Sequence, residues 1–178
     1  LDLVKVAPSL KRVILGCGWD VANNGPTADL DLSAILVPKN ARISGENVTQ
    51  HVVFYNNPSV QGVRSTGDNR TGVGEGDDEQ IVVDLDNVAP EIEKIIFVVT
   101  IYDAQGKSQL FGMVKNAFAR LVNEETNEEL CRYELSNDYS TDTCIEFCSL
   151  NRTPNGWQFE AVGKGSVGDL NSVLAQYM

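Results

Sequence analysis

The fold of this protein is decided by residues 94–102, with the sequence KIIFVVTIY. Its β-branched and aromatic side chains favour an extended strand. The apolar residues follow one another almost without interruption, whereas a strand with one solvated face would alternate apolar and polar residues. We therefore expect a central strand that is buried on both sides.

Further strands are predicted on either side of this stretch. Most segments of the chain are short, rich in β-branched residues and bounded by Gly, Pro, Asn or Asp, which is the strand pattern. Near the C-terminus, Trp157, Phe159 and Ala161 alternate with Gln158 and Glu160, as expected for a sheet that covers a core with one face. Besides 94–102, strands are predicted at 12–19, 31–37, 50–55, 80–85, 114–122, 129–135, 143–150 and 156–162.

The C-terminal residues follow a helical pattern instead. Leu170, Val173, Leu174 and Tyr177 recur at helical spacing after Asp169, a residue type that caps helix N-termini well. Nine strands and one closing helix predict an all-β fold: a two-sheet antiparallel β-sandwich with a short C-terminal helix.

Composition excludes several classes of function. The 178 residues include 14 Lys+Arg against 25 Asp+Glu, a formal net charge of −11, and no run approaches the ~20 apolar residues of a membrane span. We expect a soluble protein folded as a single domain over residues 1–178. Nucleic acids and anionic membranes are bound through Lys and Arg, so this acidic chain is expected to bind neither. Cations are the expected partners.

The four cysteines indicate a reducing compartment. Cys17, Cys131, Cys144 and Cys148 are scattered along the chain. Cys144 and Cys148 are expected on one face of a strand, about 13 Å apart at ~3.3 Å per residue, which is beyond disulfide reach. No secretory signal pattern opens the chain, and a cytoplasmic location is predicted.

An unusual polar segment lies between the strands that end at Tyr55 and begin at Gln80. It is longer than the ~12 to 15 residues of an ordinary structureless loop, which indicates a functional or a disordered segment. Its second half, residues 67–79 (GDNRTGVGEGDDE), holds five carboxylates, one Asn and four glycines. Five negative charges in a folded loop repel one another, and a bound divalent cation reverses that cost. The glycines let the chain turn its oxygens inward.

The donor atoms available in this segment favour calcium. Residues 67–79 contain no Cys and no His, so zinc and copper lack their preferred donors, whereas an all-oxygen set suits calcium, with magnesium second. Asp29 and Asp31 stand at i and i+2 of a predicted strand, so both project to one face and can complete the coordination. About two calcium ions are predicted. The candidate ligands are Asp29, Asp31, Asp68, Asn69, Glu75, Asp77, Asp78 and Glu79.

Other interpretations of the acidic segment remain open. It can be a solvated, mobile surface loop, the metal site of a metal-assisted hydrolase, or part of a module for calcium-dependent ligand recognition. No nucleophile motif accompanies His51, and no phosphate-binding glycine motif occurs, so no catalytic residue is predicted. The preferred hypothesis is a non-enzymatic protein with calcium as its cofactor, whose loop orders on metal uptake and whose surface then engages a partner protein.

Six segments occur in this order along the chain: GCGWD (16–20), DLDLSA (29–34), FYNN (54–57), TGDNRTGVGEGDDE (66–79), FVVTIYDAQ (97–105) and WQFEAVG (157–163). Together they resemble the TerD family of tellurium-resistance and stress proteins. The resemblance implies a β-sandwich with calcium sites built by the acidic loop, in a cytoplasmic stress-response protein without an established catalytic activity. By position it implies the ligands named above, with the carbonyls of Gly72 and Gly76 added. Val73 and Tyr102 depart from the family pattern, where many relatives carry an acidic residue and His.

Overall fold

A computed structural model describes residues 11–20, 28–66 and 77–178. Within these residues the chain forms eleven strands and three short helices. The strands are β1 (Arg12–Gly18), β2 (Leu30–Pro38), β3 (Val52–Val53), β4 (Ser59–Val60), β5 (Val63–Ser65), β6 (Glu79–Asp84), β7 (Ile92–Ile101), β8 (Phe118–Asn123), β9 (Glu128–Glu134), β10 (Cys144–Thr153) and β11 (Gly156–Ser166). The helices are α1 (Ala104–Lys107), α2 (Leu135–Asp138) and α3 (Leu170–Leu174).

The strands form two antiparallel sheets. One has six strands in the order β4-β5-β6-β1-β8-β9, and the other has five in the order β11-β10-β7-β2-β3. The predicted all-β, two-sheet architecture is confirmed. The strand β7 lies in the centre of its sheet, between β10 and β2, as residues 94–102 predict.

The five-stranded sheet is covered on both faces. Because side chains alternate along a strand, Leu32 and Phe97 face the core between the sheets, whereas Ile35 and Val98 belong to a second apolar cluster on the outer face. Val173 and Leu174 of α3 are buried in this second cluster, together with residues from the segment that precedes β3. The central strand is therefore apolar at consecutive positions, because each face meets a different layer.

The C-terminal helix begins with the predicted cap. Asp169 Oδ1 accepts the Ser172 N–H at 3.0 Å, and the Asp169 N–H donates to Ser172 Oγ at 3.0 Å, which together form a capping box. The box satisfies two backbone N–H groups at the start of the helix.

Replacing the cap is expected to destabilise the protein modestly. Asp169→Ala removes the carboxylate oxygen that accepts from Ser172, and such caps contribute about 1 kcal/mol to the free energy of unfolding. Asp138→Ala is the matched control, since Asp138 is exposed and ends α2. Urea unfolding should show the loss for Asp169→Ala and a change within about 0.5 kcal/mol for Asp138→Ala. Equal midpoints for both variants would contradict the role of the cap.

The segment between Tyr55 and Gln80 is less irregular than its composition predicts. It contains the hairpin β4–β5, and β5 pairs with β6. Val63, which is 1% exposed, anchors this hairpin in the core. Two apolar residues are too few to produce a recognisable period, which is why these strands are missing from the prediction. The strand predicted at 50–55 is also shorter, because a 3-10 turn at Val48–Gln50 precedes the two residues of β3.

The expectation that Cys144 and Cys148 share a face is wrong. The pairing of β10 with both neighbours shifts between Glu146 and Cys148, which marks a β-bulge. An extra residue reverses the alternation of side chains beyond it, so Cys144 lies in the outer cluster and Cys148 in the core between the sheets. All four thiols are free.

No helix in the described part of the chain is long and apolar enough to cross a membrane.

Candidate metal centre

The first half of β2 lies at an incomplete edge of the five-stranded sheet. On one side β2 pairs with β7 along its whole length, whereas β3 pairs only with Ala34 and Ile35. The N–H of Leu32 points to the side that β3 leaves open and donates to Glu79 Oε2 at 3.0 Å. A carboxylate from the first residue of β6 thus takes the place of a neighbouring strand and joins the two sheets.

Three buried carboxylates meet at this edge. Asp29, Asp31 and Glu79 each offer one oxygen, and these oxygens lie within 4.8 Å of one another. The exposed fractions of the three residues are 9%, 6% and 6%. Asp31 lies in β2 and Asp29 directly precedes that strand, and the two meet on one side as the i and i+2 spacing predicts, whereas Glu79 comes from the other sheet. This is the one such group of three within residues 11–20, 28–66 and 77–178.

The geometry of this group fits a hard cation. Three carboxylates close together and removed from water are costly when ionised, and a divalent ion offsets that cost. Calcium binds oxygen at about 2.3–2.6 Å, so oxygens on opposite sides of the ion stand up to about 5 Å apart. The separation of these three oxygens falls within that span. The donor set contains only oxygen, which suits calcium or magnesium better than zinc or copper.

Asp78 holds the end of β1 against the chain that enters β6. Its Oδ2 accepts the N–H of Trp19 at 2.8 Å, and its own N–H donates to the carbonyl of Cys17 at 2.8 Å. Burial raises the pKa of the Asp78 carboxyl, an effect that the Trp19 bond opposes and the nearby charges of Asp77 and Asp20 reinforce. These contacts position the chain directly before Glu79.

Asp77 lies on the outer face of the six-stranded sheet. Its Oδ1 and Oδ2 accept from the guanidinium of Arg120 at 2.9 Å each, and Oδ2 also accepts from the amide of Gln80 at 2.9 Å. The carboxylate rests on Gly16, where a Cβ would stand 2.3 Å from Asp77 Oδ2. A side chain at position 16 would force the Asp77 carboxylate to move, so glycine preserves this close approach.

The Asp77–Arg120 ion pair is a feature that reasoning from the sequence missed. Arg120 in β8 stands opposite Gly16 in β1, so whether both lie on one face depends on how the two strands are paired. A signal was present in the sequence, since a glycine within a strand often marks a close backbone approach. Asp77 was predicted as a metal ligand, and the structure assigns both of its oxygens to Arg120 and Gln80.

The thiol of Cys17 lies beside these acidic groups. Burial, followed by the negative charges of Glu79, Asp77, Asp78 and Asp31, raises the pKa of the Cys17 thiol well above its ordinary value. Burial and these charges therefore favour the protonated thiol.

The predicted site residues divide into three groups. Asp29, Asp31 and Glu79 are brought together. Asp77 and Asp78 lie next to them in sequence and make the contacts with Arg120 and Trp19 described above. The remaining predicted ligands fall outside the described residues; they are Asp68, Asn69, Gly72, Glu75 and Gly76.

The fold and the site define a class of protein: a two-sheet β-sandwich with a buried carboxylate cluster at the open edge of one sheet. A sequence model of the TerD domain matches residues 1–177. The chain belongs to the TerD family, a family of tellurium-resistance and stress-response proteins.

Individual relatives support this assignment. The tellurium resistance protein TerD of Serratia marcescens is 48% identical over 180 aligned positions, which cover 99% of this chain and 92% of that protein. General stress protein 16U of Bacillus subtilis (strain 168) is 44% identical over 183 positions, covering 99% and 92%. The crystal structure of a homologue of telluride resistance protein (TerD) from Streptomyces coelicolor A3(2) has a similar fold. Its TM-score is 0.76 at 22% identity, over 93% of this chain and 96% of that one.

Proposed function

We propose that this protein is a non-enzymatic calcium-binding protein of a tellurium-resistance and stress-response system. The observation that carries the proposal is the buried group of Asp29, Asp31 and Glu79, whose ligand oxygens lie within 4.8 Å of one another. Two of the three were predicted as calcium ligands from their spacing on a strand, and the third from the composition of the acidic segment. The family membership supports the resistance and stress-response context.

The proposed ion connects the two sheets. Asp29 directly precedes β2, Asp31 lies at its beginning, and Glu79 begins β6 in the other sheet. An ion held by all three ties the start of β2 to the end of the acidic segment, which the sequence predicts to supply further ligands for about two ions. At a free calcium concentration one hundred times the dissociation constant, one site would stabilise the folded state by about 2.7 kcal/mol.

We further propose that the protein binds a partner protein and is located in the cytoplasm. We propose that metal binding at this edge of the sandwich shapes the surface that a partner protein in a stress-response assembly contacts. The four free thiols support a reducing compartment, since three of them are buried and the fourth is half-buried without forming a disulfide.

Titration calorimetry tests the calcium assignment. The purified protein is treated with chelator, exchanged into metal-free buffer and titrated with calcium or magnesium. We expect saturable calcium binding at about two sites and an affinity for magnesium that is at least tenfold weaker, because magnesium requires a strict octahedral shell and loses water reluctantly. Absent calcium binding, or equal affinities for the two ions, would refute the proposed function.

A further inference from the structure

A second site lies at the same end of the sandwich as the carboxylate cluster but is built from other residues. A cavity of about 620 Å³ opens between the segment that follows β7 and the connection from β11 to α3. This volume is typical of pockets that hold small ligands. None of Asp29, Asp31 and Glu79 lines it.

The walls of this cavity are held by hydrogen bonds. On one side, the N–H groups of Lys107 and Gln109 donate to the carbonyls of Asp103 and Ala104 at 3.0 and 2.9 Å. On the other side, Thr143 Oγ1 donates to the carbonyl of Gly168 at 2.8 Å. Because both walls are tied to the sheet or to α1, the cavity exists before a ligand enters.

The cavity combines an apolar wall with carboxylates. Met113 and Val167 line it although 66% and 75% of their surfaces are exposed, and Leu110 lines the same wall. The carboxylates come from Asp103 and Asp169. Exposed apolar side chains beside a concave surface are the usual contacts of a ligand or a partner.

The charge of the lining is negative. No Lys, Arg or His is among the described residues that line the cavity. The neighbouring base Lys107 lies against the ring of Tyr102, with its Nζ 5.4 Å from the ring centroid. Asp169 Oδ1 accepts from the Ser172 N–H, whereas Asp103, in the left-handed conformation with φ of 49°, caps no helix N–H. The Asp103 carboxylate lies beside Gly106 of α1 and is exposed to solvent, so its charge stands at the mouth of the cavity.

We propose that this cavity binds an aliphatic cation, an alkyl ammonium or alkyl guanidinium group. The alkyl stem lies against Met113, Leu110 and Val167, and the cationic end pairs with Asp103. An anion would be repelled by both carboxylates, and a neutral apolar molecule would leave Asp103 without a counter-charge. A free polyamine and a Lys or Arg side chain of another protein share this chemistry.

Methyl NMR with three isosteric probes tests the proposal on the full chain. The resonances of the Met113 and Val167 methyl groups are followed during titration with n-hexylamine, hexan-1-ol and hexanoate at constant ionic strength. We expect saturable shifts with n-hexylamine, binding of hexan-1-ol that is about two- to fivefold weaker because the charge is missing, and still weaker binding of hexanoate. Equal binding of hexan-1-ol, or no shift with n-hexylamine, would overturn the proposal.

A pair of variants separates the local charge from the acidity of the whole protein. Asp103→Asn should weaken n-hexylamine binding about two- to fivefold, the range for a solvent-accessible ion pair. Asp86→Asn removes the same charge at an exposed position after β6, outside the lining, and should leave binding unchanged. Equal affinities for the wild type and Asp103→Asn would overturn the assignment of Asp103.

Two further titrations distinguish the sources of the cation. One uses spermidine. The other uses a hexapeptide with blocked, uncharged termini in which Leu alternates with Lys or Arg. Tighter binding of spermidine than of n-hexylamine assigns a free polyamine, and tighter binding of the peptide assigns a protein segment. These titrations do not depend on calcium, so the cavity and the proposed calcium function succeed or fail separately.

Discussion

A Glu79→Gln variant is expected to lose most of the stabilisation that calcium provides. Glu79 supplies the one carboxylate in the buried group that comes from the six-stranded sheet. The substitution removes its charge but retains an oxygen that can accept the N–H of Leu32, so the folded structure should persist. If affinity falls by about 100-fold, the gain in unfolding free energy at the same calcium concentration drops from about 2.7 to about 0.4 kcal/mol.

Thermal unfolding with calcium and with chelator measures this loss. For a chain of this length, 2.7 kcal/mol corresponds to a rise in Tm of about 5–10 °C. The matched control is Glu160→Gln, an exposed position on β11 that should keep the full rise. An undiminished rise in Glu79→Gln would place the ion elsewhere. This variant is more specific than Asp77→Ala with Asp78→Ala, which would also remove the contacts to Arg120 and Trp19.

A Gly16→Ala variant is expected to lose about 2–3 kcal/mol of unfolding free energy without any change in metal concentration. The new Cβ would stand 2.3 Å from Asp77 Oδ2 and 2.4 Å from Asp77 Cγ, so the carboxylate must move. The Asp77 side chain is only 3% exposed, and its carboxylate accepts two hydrogen bonds from Arg120. Moving the Asp77 carboxylate therefore breaks its two charged hydrogen bonds to Arg120, in a site with little water.

A double-mutant cycle attributes this loss to the contact with Asp77. Gly16→Ala introduced into an Asp77→Ala background should cost less than about 0.5 kcal/mol, because the clashing carboxylate is gone. Gly45→Ala serves as control, since a Cβ at Gly45 meets no atom within 4 Å. Urea unfolding of the five proteins provides the free energies. Additive losses for Gly16→Ala and Asp77→Ala would show that the substitution acts through another contact.

Most of the sheet architecture could be predicted because strands are marked by local patterns. Residues 94–102 predict a doubly buried central strand, and β7 is one, since its two faces meet the core and the cluster under α3. Asp169 predicts the helix start through the capping preference of its side chain, and the capping box is present. Patterns failed where the local signal is short or interrupted, as in β4–β5 and at the bulge after Glu146.

The sequence predicted which residue types form the candidate site better than it predicted how those residues are arranged. Asp29 and Asp31 share a side of β2 because period-two spacing is a local property. Asp77, Asp78 and Glu79 are adjacent in sequence and equally acidic, yet they contact Arg120, Trp19 and Leu32, three different parts of the fold. Their different roles follow from where the chain turns at the entrance to β6.

The amino-acid sequence alone determined that the chain forms a two-sheet sandwich with a short C-terminal helix, and it marked the carboxylates that are candidate metal ligands. Only the tertiary structure decided which oxygens meet, because Glu79 reaches Leu32 across 47 residues and Arg120 reaches Asp77 across 43. Local propensities act over a few residues, whereas such contacts depend on strand order and register, which are established when both sheets pack around one core.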